Sequence, residues 1–394
     1  MDDTEIIKNN IKHYIISSKK FEIPDKHIGI QLQKIGGYSN LNYRGIIKDI
    51  SKNEVIMEVF YRKFGSNFGE LSDSVNHEQE SIITKYLAEK EYGPRLLYEV
   101  KKEYTIIEFI TNSTTLPLEK YFDSKIIEQL FDILNYFISF SYIYKYNING
   151  KDLILSPVIE GDNKMKKINN LKYQFKICDD LFEKAKSNFE IFLQKFNKVY
   201  IKEKNPKEFE DVELLQKYLY DFKNYYKGNY PSKGFLVLNH NDVFRFNILY
   251  RNYNQKIFLI DHEYFGLNLP GYDISYYLTE YFFSYEPEYK CELNKVNFEQ
   301  LFVIFEKFIF KFINDNKSLE NEVGGKQFLE IIKTRKYFIQ LMNIINLYLY
   351  IWALGNIDFE VYDKDHKKEV FLLQAVDRIK FYLLGMNKIE NLNN

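Results

Sequence analysis

Residues 234–260 constrain this chain more than any other segment. Three short apolar runs, FLVL, NILY and IFLI, interrupt a region otherwise patterned as helix, and polar residues able to do chemistry stand at their ends. Asp242 lies just past the first run, Asn247 opens the second and Asp261 closes the third. Short strands bounded by turn residues predict a small hairpin, so three oxygen-bearing side chains are expected at the rim of one hairpin. Taken singly, Asp242 and Asn247 read equally well as turn formers and Asp261 as a helix cap. Their order and their common place at strand ends favour a site.

Two kinds of pattern surround this island. Gln31–Gly37, Asn42–Ile50 and Glu54–Phe64 are rich in β-branched and aromatic residues and are punctuated by Gly-Gly and Lys-Asn, which predicts a small antiparallel sheet. Ser74–Glu91 places Ile82, Ile83, Tyr86 and Leu87 on one helical face and stops at Tyr92-Gly93-Pro94. PRLLYEV and YTIIEFI follow as strands, ending at Ile110. Beyond them, helical spacing runs over residues 125–146, 172–200, 211–226, 297–315 and 330–354, with linker-like stretches at 160–167 and 317–326. The expected fold class is α+β, with a small antiparallel-sheet lobe over residues 1–110 and a large, mainly helical lobe over 111–394. With 394 residues, 45% of them apolar, the chain can fill both cores.

Composition removes several function classes. Lys and Arg number 54 against 55 Asp and Glu, so no global field favours nucleic acid or an anionic membrane. Cys178 and Cys291 lack metal-site or disulfide-framework spacing, which fits a reducing compartment. The longest strongly apolar run, Leu347–Leu354, is far shorter than the ~20 residues of a membrane span, and the acidic N-terminus is unlike a signal peptide. A cytoplasmic protein is expected. The chain holds 34 Tyr and 34 Phe, which weakens any argument from a single aromatic residue.

Phosphoryl transfer from ATP requires the set found at the hairpin. A carboxylate must orient the acceptor hydroxyl and take its proton, and hard oxygen ligands must hold Mg against the nucleotide phosphates. Asp242 suits the first role, Asn247 and Asp261 the second. Protein kinases use a similar order, H-R-D-x4-N and then D-F-G. Here the string is His240-Asn241-Asp242, Asp261 is followed by His262-Glu263, and no A-P-E segment follows, which points to small-molecule acceptors.

At these residues the chain resembles the choline/ethanolamine kinase family. The family pattern H-N-D-x4-N-I-L, I-D-x-E-Y, N-x-x-G-x-D-I and a downstream Glu is similar to His240–Asp242, Asn247–Leu249, Ile260–Tyr264, Asn268, Gly271, Asp273-Ile274 and Glu280. The resemblance spans roughly Leu32–Tyr382, with Leu116–Pro231 matched only in character. It implies a two-lobed, protein-kinase-like fold, with nucleotide binding in 1–110 and catalysis and acceptor binding in 111–394. It also implies ATP and Mg as cofactors, a place in phospholipid biosynthesis, and Glu263 as a metal ligand beside Asn247 and Asp261.

The upstream half of the resemblance names further residues. KIGGYSNLNYR resembles the family's nucleotide loop and implies Gly36, Gly37, Ser39 and Asn40, although Gly-Gly alone is an ordinary hairpin turn. VFYRKFG resembles the strand whose base meets the phosphates, which implies Arg62; a register shifted to Glu58 would remove it. Glu80 reads as the acidic partner of that base or as a solvated helix face. YTIIEFI resembles the hinge, where backbone groups of Glu108, Phe109 and Ile110 would meet adenine.

For the acceptor, a quaternary ammonium has no donors and needs aromatic faces and carboxylates. The resemblance implies Glu280, Tyr281 and Tyr285 beside Asp242, and GNIDFEVY resembles a C-terminal acidic segment that adds Asp358. The family's Trp pair is absent, since Ile344 and Leu347 stand there in a gap-free alignment; Tyr348, Tyr350 and the single Trp, Trp352, lie nearby and could substitute after a local shift, which makes Trp352 an acceptor-binding candidate. The expected function is choline kinase, with ethanolamine kinase as the alternative. Another small-molecule phosphotransferase and a non-catalytic kinase-like binding module remain as further readings. No nucleic-acid partner is expected, and a homodimer is left open.

Overall fold

The computed structural model describes residues 3–35, 40–64, 77–149, 152–159, 174–200, 206–285, 288–357 and 370–393. In chain order the elements are α1 (Asp3–Ser18), β1 (Ile28–Ile35), β2 (Asn40–Asp49), β3 (Glu54–Phe64), α2 (His77–Glu89), β4 (Leu96–Val100), β5 (Tyr104–Glu108), β6 (Ser113–Thr115) and α3 (Ser124–Ile138). Next come β7 (Ile143–Asn149), β8 (Asp152–Ile159), α4 (Gln174–Tyr200), α5 (Pro206–Tyr220), α6 (Phe222–Asn229), β9 (Lys233–Asn239), β10 (Ile248–Arg251), β11 (Lys256–Leu259) and β12 (Gly266–Asn268). Helices α7 (Tyr272–Glu280), α8 (Phe298–Asp315), α9 (Gly325–Ile332), α10 (Arg335–Gly355) and α11 (Val370–Asn393) follow. The fold class is the expected α+β, with antiparallel sheet in the N-terminal region and helices in the C-terminal part. By its contacts the chain divides into two compact units, 1–133 with 245–264, and 134–244 with 265–394.

In the first unit the predicted strands form one antiparallel sheet in the order β1-β2-β3-β5-β4. Its core joins Ile47, Val59, Tyr61 and Ile106 of the sheet to Ile7, Ile11, Tyr14 and Ile15 of α1. Those four α1 residues recur at i, i+4, i+7 and i+8, the spacing of one helical face, so α1 is bound by what it buries. Each such side chain contributes about 1.5–3 kcal/mol. The close approach needs Gly45 on β2, because a Cβ there would lie 2.9 Å from Val59 Cγ2 and 3.0 Å from Ile11 Cδ1. A second sheet, β11-β10-β6, carries the island hairpin.

The second unit holds the sheet β12-β9-β7-β8 and most of the helices. The helical spacing read over 125–146 fails at its end, since α3 stops at Ile138 and residues 143–149 form β7. Ile143, Tyr144, Tyr146 and Ile148 suit a pleated surface, and β7 finds a ladder partner on each side, in β8 and β9, so tertiary pairing overrides a local pattern. Residues 317–321 of the expected linker form a short 3-10 helix leading to α9; the other, 160–167, lies outside the described residues. Helix α10 runs through the core with Tyr337, Ile344, Leu347 and Ile351 at most 1% exposed. Its composition and length would suit a membrane crossing, yet 89% of its apolar window is buried inside the protein.

Candidate active site

Strand register places the residues of the first unit that are expected to meet the nucleotide. On β3, Arg62 stands between Asn42 of β2 and Thr105 of β5, and its guanidinium is buried. Nη1 donates to Glu80 Oε1 of α2 at 2.7 Å, and Nη2 donates to Asp261 Oδ1 at 2.7 Å. Burial opposes the charge on Arg62, but Asp261, Glu80 and Glu263 outweigh it and hold the guanidinium above its ordinary value. Glu80 is thus an ion-pair partner and no solvated face. Glu58 points to a different base, accepting from Arg44 Nε at 2.7 Å.

The island hairpin carries the expected metal ligands. β10 and β11 pair from Ile248↔Leu259 to Arg251↔Lys256, and Ile260 N–H donates to the Asn247 carbonyl at 3.0 Å. Asn247 and Asp261 therefore flank the hairpin's open end. Asp261 adopts φ +64°, a left-handed conformation that turns the chain sharply after the strand. Asn247 is 5% and Glu263 9% exposed. The donor set is all oxygen, which fits a hard dication that takes its remaining ligands from phosphate and water. Among the described residues no group of three or more His, Cys, Asp and Glu is arranged to hold a metal; the set expected from the sequence adds the amide oxygen of Asn247 to two carboxylates.

At the hinge segment the backbone is partly spent. Glu108 N–H donates to the Arg95 carbonyl at 2.8 Å and Phe109 N–H to the Glu58 carbonyl at 3.3 Å, while the Ile110 carbonyl accepts from Ser113 Oγ at 2.6 Å. Gly36, Gly37 and Ser39 lie outside the described residues, as does Asp358; Asn40 opens β2.

Asp242 belongs to the second unit and follows β9. Its loop is built by Asp273 on α7, whose carboxylate accepts the backbone N–H groups of His240 at 2.7 Å and Asn241 at 2.8 Å. Asn241 sits at φ +66°, with its side-chain oxygen held by Asn268 Nδ2 at 3.0 Å. Burial pushes the Asp273 carboxyl up to about 7 against the two N–H groups that lower it. The α7 helix starts after Gly271, at φ +83°, where a Cβ would meet Phe305 at 2.6 Å. The motif residues Asn268, Gly271 and Asp273 are therefore braces for the His-Asn-Asp turn. One helical turn after Asp273, Tyr276 donates its hydroxyl to Asp242 Oδ1 at 2.9 Å.

The acceptor-side expectations are brought together in part. Glu280 closes α7 and forms a buried ion pair with Arg378 of α11, through Oε1; its Oε2 accepts from Tyr285 Oη at 2.9 Å. Arg378 also donates to Tyr285 Oη at 2.7 Å and lies over the Phe283 ring at 3.5 Å. Tyr285 in turn faces Phe244 edge-on at 6.4 Å and Tyr289 at 5.9 Å between ring centres. Tyr281 packs edge-on against Phe282, and Trp352 against Phe371 at 5.7 Å. Ile344 and Leu347 are fully buried, and Tyr350 gives its hydroxyl to the Leu215 carbonyl; all three are core residues. Arg378, Tyr276 and Phe244 were missed from sequence. An arginine in an amphipathic C-terminal helix carries no local mark of being fully buried.

No curated protein sequence matches the chain. Among solved structures it is similar to the choline kinase of Cryptosporidium parvum Iowa II, at 18% identity and TM-score 0.61, over 99% of this chain and 97% of that one. It is also similar to an ethanolamine kinase of Plasmodium vivax, at 16% identity and TM-score 0.50, over 90% of this chain and 83% of that one. Both likenesses support a kinase-like phosphotransferase fold. The choline/ethanolamine kinase family pattern matches residues 32–383, nearly the whole length, and the chain belongs to the choline/ethanolamine kinase family.

Proposed function

We propose that the protein is a choline kinase, transferring the γ-phosphate of ATP to the choline hydroxyl. The acceptor oxygen attacks the γ-phosphorus, the new O–P bond forms as the bond to the β-phosphate oxygen breaks, ADP leaves with that electron pair, and the acceptor proton passes to Asp242. Asn247, Asp261 and Glu263 would hold Mg, which when bound offsets charge on the transferring phosphates. Arg62, fixed by Glu80, would add a second positive charge toward the nucleotide.

One observation carries the choice of acceptor. Both oxygens of Glu280 are committed to Arg378 and Tyr285, so this carboxylate offers little to a primary ammonium that seeks hydrogen bonds. The neighbouring rings of Tyr285, Phe244 and Tyr289 suit a quaternary ammonium, which needs only faces and field. A coupled assay of ATP consumption with choline and ethanolamine tests this reading. A kcat/KM for choline above that for ethanolamine supports it, and a more than tenfold preference for ethanolamine refutes it.

A further inference from the structure

Tyr276 plays no part in the family motif, yet its hydroxyl touches the proposed base. It lies at i+3 from Asp273 and i−4 from Glu280 on α7, so the loop brace, the tyrosine and the buried ion pair share one helical face. Its side chain is 4% exposed, and its hydroxyl reaches Asp242 Oδ1 at 2.9 Å. The ionisable groups facing it are Asp242, Glu280, Arg378 and Tyr285. Arg378 answers Glu280, which leaves the Asp242 carboxylate as the charge to which the phenol is aimed.

We propose that Tyr276 is a positioning residue of the transfer reaction, its hydroxyl holding the Asp242 carboxylate ionised and in one orientation so that the acceptor proton is received by a prepared base. This rests on the reading of Asp242 as the base of the proposed reaction. Burial, Asp242 and Glu280 hold the Tyr276 phenol well above its ordinary value, so it remains a donor at any working pH. A hydrogen bond to the charged form of an acid favours that form. Its removal moves the Asp242 titration upward, and with it the acid limb of kcat/KM, because only ionised Asp242 accepts a proton.

Tyr276→Phe isolates the hydroxyl, since the ring and its packing against Tyr272 at 6.2 Å are retained. The full-length protein, labelled with carboxyl-13C aspartate, is titrated by NMR, and the Asp242 resonance is assigned by its loss in Asp242→Asn. In Tyr276→Phe the Asp242 midpoint is expected to rise by about 0.6–1 pH unit, the share of one donor among the two or three that depress a carboxylate strongly. The acid limb for choline phosphorylation is expected to rise by the same amount. An unmoved titration, or a loss of kcat with an unmoved pH profile, overturns the proposal. If no amino alcohol is phosphorylated, the proposed function fails while the NMR titration still decides the role of Tyr276. Should Tyr276→Phe fail to fold, 3-fluorotyrosine placed at position 276 keeps the shape with a more acidic phenol. The Asp242 midpoint then shifts downward, and the absence of any shift overturns the proposal.

Discussion

Asp242 and Asp261 are the same side chain in two different settings. Asp261 accepts from the Arg62 guanidinium, a charged donor. Asp242 accepts from the Tyr276 phenol, a neutral donor. Asp242→Asn keeps the shape and loses the base, so kcat should fall by about 10²- to 10⁴-fold with the fold and nucleotide affinity retained; steady-state kinetics beside a thermal melt check this. Asp261→Ala should abolish Mg-dependent binding of a non-hydrolysable ATP analogue in titration calorimetry. Unchanged affinity would place the metal elsewhere. Asp273 gives a pH signature. Its folded value is raised to about 7, so the folded state binds a proton that the unfolded state releases from pH 4 upward, and stability from this group is lost as pH rises through about 7. Asp273→Asn lacks that titration. The substitution should cost less stability at pH 8 than at pH 5, as read from thermal unfolding at the two values.

At the scale of elements, α7 is the organiser of the second unit's site. Asp273, Tyr276 and Glu280 fall at i, i+3 and i+7, and each meets a different partner: the His240–Asn241 turn, Asp242, and Arg378. Its start depends on Gly271 at φ +83° beside Phe305. Gly271→Ala should therefore destabilise by more than the about 1–3 kcal/mol of a strained backbone alone, and should lower kcat as well by tilting α7; denaturant unfolding and kinetics measure the two effects. The strand island was legible because short strands ended by Asp and Asn leave local marks; Asn268, Gly271 and Asp273 were named only through the family pattern, and their bracing role emerges from the folded chain. β7 was not legible, because Ile143–Asn149 follows a helix without a breaker and becomes strand only through its neighbours β8 and β9. Arg378 was also illegible, since its partner Glu280 is 98 positions away and only the folded chain joins them.

Across the whole molecule, the family's pattern spans nearly all of the chain, while its aromatic cage does not carry over residue by residue. Ile344 and Leu347, where Trp would stand, are core, while Tyr285, which donates to Glu280, faces the rings of Tyr289 and Phe244. If these rings bind the acceptor's head group, Tyr285→Ala should raise the KM for choline more than that for ethanolamine, by up to about 30-fold for a face worth up to about 2 kcal/mol. The central claim is that this chain phosphorylates an amino alcohol, and one coupled ATP-consumption assay over choline, ethanolamine, hexoses and an aminoglycoside tests it directly. Turnover is expected with choline, less with ethanolamine and none with the others. Turnover confined to a hexose or the aminoglycoside, or no turnover with any of the four, would contradict it.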